Sequence, residues 1–213
     1  MSTGAVPPLA EGPLTEWLLR GLALLLMAFI VIRWGHAWMV DPSRWTALLL
    51  LVTESYTLML VLLARRATQR DLSATAMVAT IYATCCAVLL TPQDTLRLAP
   101  EWVGVALQLA SMGWQFTAKI VLGRSFGLLP AQRGLVTGGP YRIVRHPIYC
   151  GYLVGHIGFL AANFSIRNTI VLALLYVAQV VRILREEAML AASDTNYRSY
   201  QQKVRWRLLP FVF

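Results

Sequence analysis

The sequence predicts an all-α protein, a polytopic membrane bundle of five to six transmembrane helices. Hydrophobic residues make up 57% of the 213 positions, charged residues only 14%, and the mean hydropathy is +0.58. Such a composition is typical of chains that cross a membrane several times. The net charge of +9 comes from basic residues that lie between apolar segments. This spacing favours membrane topology over nucleic-acid binding, and the length allows a single domain.

The first half of the chain contains four apolar segments with recognisable ends. The first is flanked by tryptophans at interface depth, and a turn at Asp41-Pro42-Ser43 separates it from the second. Three arginines at 65–70 end the second segment, and Thr91-Pro92 ends the third. We therefore predict spans over residues 17–34, 45–64, 74–90 and 101–122, after a Pro- and Gly-rich start at 1–13.

Two shorter apolar segments follow in the second half. Residues 148–162 form the fifth predicted span, and a tight turn at 163–168 leads to the sixth, 169–184. The sixth span continues as a polar helix to Leu190. Because both segments are short, we expect them to form a helical hairpin that only just crosses the membrane.

The basic residues also predict an orientation. With the N-terminus inside, the segments on the inner side hold 14 Lys and Arg residues, and those on the outer side hold four. The positive-inside rule therefore places residues 123–147 and the C-terminal region on the cytoplasmic face, which is the inner face of the inner membrane if the protein is bacterial.

One stretch concentrates the residues that carry chemistry. In LVTGGPYRIVRHPIYCG, residues 135–151, the glycines and Pro140 predict a turn. Pro147 suits the first turn of a helix, which places His146 at or near the N-cap. The free N–H groups and positive dipole end of such a helix favour an anion. Tyr141 and Tyr149 lie on either side, where their rings are able to stack on a base or face a cation.

A second charged group follows the sixth span and contains Arg182, Arg185, Glu186 and Glu187. Arg182 and Glu186 are four residues apart and share one helical face. An ionisable residue at bilayer depth costs about 3 kcal/mol and usually has a functional or pairing reason. The alternative is a plain ion pair at a helix end whose side chains reach water.

Other polar residues allow two interpretations. Glu54 lies mid-span, and Gln108, Ser111, Gln115 and Lys119 recur at helical spacing in the fourth span. They either line a path for cofactor or substrate, or bond between helices, and bonding is favoured for the fourth span. The tail at 197–210 predicts a basic amphipathic helix on the anionic leaflet. The three cysteines have no metal-ligand spacing, so no metal site or disulfide is expected.

Taken together, these residues resemble the isoprenylcysteine carboxyl methyltransferase family of integral membrane methyltransferases. The resemblance covers about the C-terminal 90 residues. It rests on the turn at 135–141, the Arg-His-Pro-x-Tyr sequence at 145–149, Arg182 with its two following glutamates, and the tail with Tyr197, Tyr200, Val204 and Pro210. The first three spans match in hydropathy alone.

The resemblance implies S-adenosylmethionine as cofactor, bound by a catalytic region at 123–213 that is carried by a scaffold at 1–122 within one membrane domain, 1–213. It implies a lipid-like or prenylated acceptor that enters from the membrane lipids. Arg182 would hold the acceptor carboxylate, and Glu186 would lie beside it. The cofactor would be bound by Leu135, Val136, Tyr141, His146, Pro147, Tyr149 and Glu187.

Two other functions remain open at this point. The same cofactor is able to serve a phospholipid amine or a thiol acceptor. A membrane reductase of the steroid-reductase type would use a nicotinamide cofactor instead. The Arg-His-Pro-x-Tyr sequence and the glutamate pair favour methyl transfer over reduction.

Overall fold

The computed structural model describes residues 13–63, 71, 73–123 and 135–213. Residues 1–12 of the predicted Pro- and Gly-rich start at 1–13, and the arginine group at 65–70, lie outside these residues. Within the described ranges the chain forms seven α-helices and one 3₁₀ turn, and the all-α membrane bundle is confirmed. The helices are α1 Pro13–Val40, α2 Trp45–Leu63, α3 Ala74–Leu89, α4 Glu101–Leu122, α5 Pro147–Ala162, α6 Ile166–Ser193 and α7 Thr195–Lys203, and the 3₁₀ turn is Gly139–Arg142.

Each predicted span corresponds to a helix, but two helices are longer than predicted. α1 continues to Val40 because the first chain breaker after the tryptophans is Asp41-Pro42. α6 starts at Ile166, where the Ser165 side chain caps the helix by accepting a bond from the Asn168 N–H. Among the described residues, α1, α2 and α6 contain stretches long and apolar enough to cross a membrane, and α3 and α5 are shorter apolar helices.

The fifth and sixth segments follow each other across a short turn, as predicted, but neither is the main packing partner of the other. α5 packs most extensively on α4, and α6 packs on α3. The reason lies in the small residues that face each other across the antiparallel α4–α5 pair. A Cβ atom on Gly158 would lie 2.8 Å from the Gly104 carbonyl oxygen, and one on Gly155 would lie 2.7 Å from the Ser111 hydroxyl oxygen. Small residues let two helix backbones approach closely in a membrane.

Polar side chains fix the loops at one end of the bundle. Buried Asn163 donates to the Thr46 hydroxyl at 3.1 Å and accepts from Arg44 at 3.1 Å. Asn168 donates to the Thr91 carbonyl at 2.8 Å. These bonds join the loops after α1, α3 and α5. The stretch at 135–146 lies at the other end of the bundle from these loops, where α4 ends and α5 begins. The loops expected outside and the stretch expected inside are therefore at opposite ends of the bundle.

The close contact of α4 and α5 gives a testable prediction. Gly104→Ala adds a methyl group 2.7 Å from the backbone oxygen of Gly158, so one helix must shift. We expect a loss of about 1–3 kcal/mol in stability, measured as a lower melting temperature of the detergent-solubilised protein. Gly113→Ala is the matched control, because a Cβ there meets no atom within 4 Å. Equal melting temperatures of the two variants would contradict the packing.

Candidate functional site

The 3₁₀ turn leads the chain tightly into α5. Gly139 adopts a φ of +54°, and a Cβ atom at this position would lie 2.9 Å from the Val121 side chain. Glycine therefore fits both the backbone conformation and the space. His146 is the N-cap of α5, as predicted, and Pro147 is the first helical residue. The His146 side chain makes no capping bond, so the first turn of α5 keeps N–H groups that its own cap does not satisfy.

The carboxylate of Glu187 connects three parts of the chain. Its Oε1 atom lies 3.2 Å from Arg145 Nε and 3.2 Å from His146 Nε2, and its Oε2 atom accepts a bond from Arg207 Nε at 3.0 Å. Glu187, Arg145 and His146 are all buried. Because both carboxylate oxygens are engaged, Glu187 joins the end of α6 to the start of α5 and to the C-terminal segment.

The C-terminal segment lies against the start of α5. The N–H groups of Arg145 and His146 donate to the carbonyls of Trp206 and Arg207 at 2.9 and 2.8 Å. The predicted helix at 197–210 is therefore only partly right, since α7 ends at Lys203. Arg207 binds Glu187, which corrects the expected leaflet contact for this arginine. These backbone bonds were not predicted, because residues 205–208 carry no turn or strand signal.

A hydrogen bond between two tyrosines joins the 3₁₀ turn to α7. The Tyr200 hydroxyl donates to the Tyr141 carbonyl at 2.7 Å. Burial raises the pKa of Tyr200 to about 12 and raises the pKa of Tyr141 as well. Both hydroxyls therefore keep their protons at neutral pH. Deprotonation of these tyrosines lowers the free energy of unfolding only when the pH rises above about 10, the pKa of tyrosine in the unfolded chain.

Arg182 and Glu186 meet the start of α5 through Tyr149. The Arg182 guanidinium lies 5.3 Å from the centre of the Tyr149 ring and donates to Gln179 Oε1 at 3.0 Å. The Glu186 side chain lies beside the Tyr149 hydroxyl. The Tyr149 ring stacks on His146 with 5.7 Å between ring centres. These contacts through Tyr149 connect the end of α6 with the first turn of α5.

The structure brings the predicted site residues to one end of the bundle. Leu135 packs against the Tyr197 and Tyr200 cluster, and Val136 packs against a separate cluster that contains Tyr141. Arg185 is the exception in the second charged group. It points to the start of α3, where it lies 3.6 Å from Asp71 and donates to Thr75.

The polar residues of α4 divide into two groups. Ser111 donates to the Gly151 carbonyl at 2.7 Å and accepts from Gln115 at 2.8 Å, which is the favoured interhelical bonding. Lys119 is fully buried and donates to Thr57 at 3.0 Å, beside the Glu54 carboxylate. Within the described ranges no three His, Cys, Asp or Glu side chains are grouped to hold a metal ion.

Comparison with known proteins gives a matching family and similar relatives. Residues 100–193 match the family described as phospholipid methyltransferase. The chain is 32% identical over 109 residues to the cobalt-zinc-cadmium resistance protein CzcN of Cupriavidus metallidurans, a match that covers 51% of this chain and 47% of that protein. It is 48% identical over 46 residues to protein-S-isoprenylcysteine O-methyltransferase A of Arabidopsis thaliana, covering 19% of this chain and 23% of the relative.

The chain thus spans less than half the length of these two relatives. The predicted resemblance to the isoprenylcysteine methyltransferase family is confirmed at low identity and partial coverage. The matched family region includes α4, the start of α5 and the charged end of α6.

The Glu187 contacts give a prediction about stability. Glu187→Gln leaves the buried Arg145 without its carboxylate and weakens the contacts to His146 and Arg207. Breaking a buried ion pair costs about 3–5 kcal/mol, and we expect the lower end because Arg207 is partly exposed. The measurement is thermal unfolding in detergent. The control is Glu186→Gln, a neighbouring carboxylate that is only half-buried, and an equal loss in both variants would contradict the assignment.

Proposed function

We propose that this protein is an integral membrane methyltransferase that moves a methyl group from S-adenosylmethionine to a lipid-like acceptor. The acceptor group that suits the site best is the carboxylate of an isoprenylcysteine-type compound. The observation that carries this proposal is the meeting of the α5 N-terminus with Arg182 and Glu186 through Tyr149. The matched family and the isoprenylcysteine methyltransferase relative support the broader class.

The residues at the start of α5 fit the proposed cofactor. The first turn of the helix offers N–H groups and a positive dipole end to the cofactor carboxylate. The rings of His146 and Tyr149 offer an aromatic surface. In the described part of the chain, the buried Tyr197 hydroxyl has no hydrogen-bond partner, so it is available to a ligand. Leu135, Val136 and Tyr141 would border the same ligand, and Pro147 and Glu187 would hold the helix start in place.

Methyl transfer to a carboxylate requires little acid–base catalysis from the protein. S-adenosylmethionine, when bound, supplies a methyl group on a positively charged sulfur. A carboxylate acceptor is already ionised at neutral pH and needs no general base. The task of the protein is therefore alignment and exclusion of water. Arg182 is able to hold a carboxylate through two parallel hydrogen bonds, and its contact with Tyr149 keeps the guanidinium beside the start of α5.

A phospholipid amine is a second candidate acceptor, favoured by the family that matches residues 100–193. An amine or thiol must lose a proton before it attacks the methyl group. Glu186 and His146 are the nearest candidates for the base. In either case the acceptor chain would enter from the bilayer between helices, and the site would lie on the cytoplasmic face, where the basic residues concentrate.

Replacement of Arg182 tests the acceptor site. We expect Arg182→Ala to reduce methyl transfer at least about 100-fold, because a charge-assisted contact to the acceptor is worth about 3 kcal/mol. The affinity for S-adenosylmethionine should change little. The matched control is Arg185→Ala, whose side chain points to Asp71 and Thr75. Retained transfer by Arg182→Ala, measured with labelled methyl groups, would contradict the substrate role.

Calorimetry of the solubilised protein tests the cofactor. We expect binding of S-adenosylmethionine, and binding of NADPH alone would remove the methyltransferase proposal in favour of a reductase. In the same assay His146→Ala should weaken binding about tenfold, because the variant loses the ring that stacks on Tyr149. His156→Ala serves as the control, since His156 lies nearly three turns further along α5 and bonds Tyr176 of α6. Unchanged affinity in His146→Ala would remove this residue from the site.

A further inference from the structure

The buried face of α6 carries a polar pair among apolar side chains. Leu175 and Ile183 lie on this face and are 1% and 0% exposed. Gln179 lies between them at helical spacing and is 4% exposed, and Arg182 on the same face is 7% exposed. A buried polar group costs free energy unless it is hydrogen-bonded, so the pattern of α6 favours an apolar residue at 179. The presence of an amide there needs a reason other than packing.

The amide of Gln179 contacts the guanidinium of Arg182. Arg182 Nη1 donates to Gln179 Oε1 at 3.0 Å. Because a guanidinium has donors only, the oxygen of the amide must be the atom that faces it. The Tyr149 ring, in the first turn of α5, lies against the face of the same guanidinium, with its centre 5.3 Å from Arg182 Cζ. The bond within the plane and the contact on the face together restrain the orientation of the guanidinium.

The position of this bond distinguishes the two edges of the guanidinium. An arginine binds a carboxylate through two parallel hydrogen bonds, donated either by Nε and Nη2 or by Nη1 and Nη2. Gln179 binds Nη1. A carboxylate on the second edge would therefore compete with Gln179, whereas one on the edge of Nε and Nη2 would not. The restrained plane thus favours binding of a carboxylate on the Nε and Nη2 edge.

We propose that Gln179 is a positioning residue, which orients the Arg182 guanidinium so that its Nε and Nη2 edge receives the acceptor carboxylate. This inference rests on the proposed function, since it assigns Arg182 to the acceptor. The amide is neutral, so it restrains the guanidinium without cancelling the charge that attracts the acceptor. Stability alone does not require the pair, because replacing both partners of a buried hydrogen bond by apolar groups is often nearly neutral.

The test compares two ligands that differ only at the acceptor group. N-acetyl-S-farnesylcysteine has a free carboxylate, and its methyl ester has none. Calorimetry of the detergent-solubilised full chain, with no methyl donor added, measures the affinity for each. We expect the wild-type protein to bind the acid about tenfold or more tightly, because a hydrogen bond to a charged group is worth at least that factor. In Gln179→Leu the affinity for the acid should fall about tenfold, and the affinity for the ester should stay the same.

Two further variants separate positioning from folding. Arg182→Lys keeps the positive charge but lacks the planar fork that Gln179 orients. In this background Gln179→Leu should change the affinity for the acid less than about twofold, because positioning acts through the guanidinium. A general disturbance of α6 would instead reduce the affinity equally in both backgrounds. Tyr176→Phe is the matched control, because it removes another polar contact of α6, the one with His156 at 2.8 Å. It should keep the wild-type preference.

The outcomes decide the inference separately from the function. Equal wild-type affinities for acid and ester, a preference that survives in Gln179→Leu, equal losses in both backgrounds, or no binding of either ligand would overturn the role of Gln179. Binding with the expected pattern but without transfer of a labelled methyl group, when S-adenosylmethionine is added, would leave that role intact and contradict the proposed function.

Discussion

The buried carboxylate of Glu187 is the interaction on which the site depends. Glu187, near the end of α6, contacts Arg145 and His146 at the start of α5 and Arg207 in the C-terminal segment. Each of these groups would be costly to bury alone. Their mutual compensation holds three distant parts of the sequence together at one end of the bundle. The first turn of α5, which contains Tyr149, is thereby fixed beside Arg182.

The scaffold complements this arrangement through the close packing of α4 and α5. Glycines at 104, 155 and 158 leave room for neighbouring backbone and hydroxyl groups, so the small-residue face of α5 packs closely on α4. Another face carries Tyr149, which contacts Arg182 of α6, and His156, which bonds Tyr176 of α6. A helix with one small-residue face and one aromatic face can both anchor a bundle and border a ligand.

Much of the fold followed from the sequence, because apolar segment length and turn residues determine helices in a membrane protein directly. The cap at His146 followed from Pro147, whose geometry suits only the first turn. The pairing of α5 was not predictable from segment length, since it depends on which glycines face which partner. The contact of Arg207 with Glu187 was also missed, because a periodic pattern of tyrosines and basic residues suits a docked segment as well as a leaflet surface. The roles of the individual site residues stay predictions.

The contacts of residues 200–208 with the turn at 138–146 have a consequence for biosynthesis. The backbone bonds from Arg145 and His146 reach partners about 60 residues later in the chain. A ribosome adds these partners only after α5 and α6 have been made. During that interval Arg145, His146 and Glu187 lack their partners at residues 206 and 207. Assembly of the site is therefore the last event of translation for this region, and a nascent chain halted before residue 205 would hold the helices but not the completed centre.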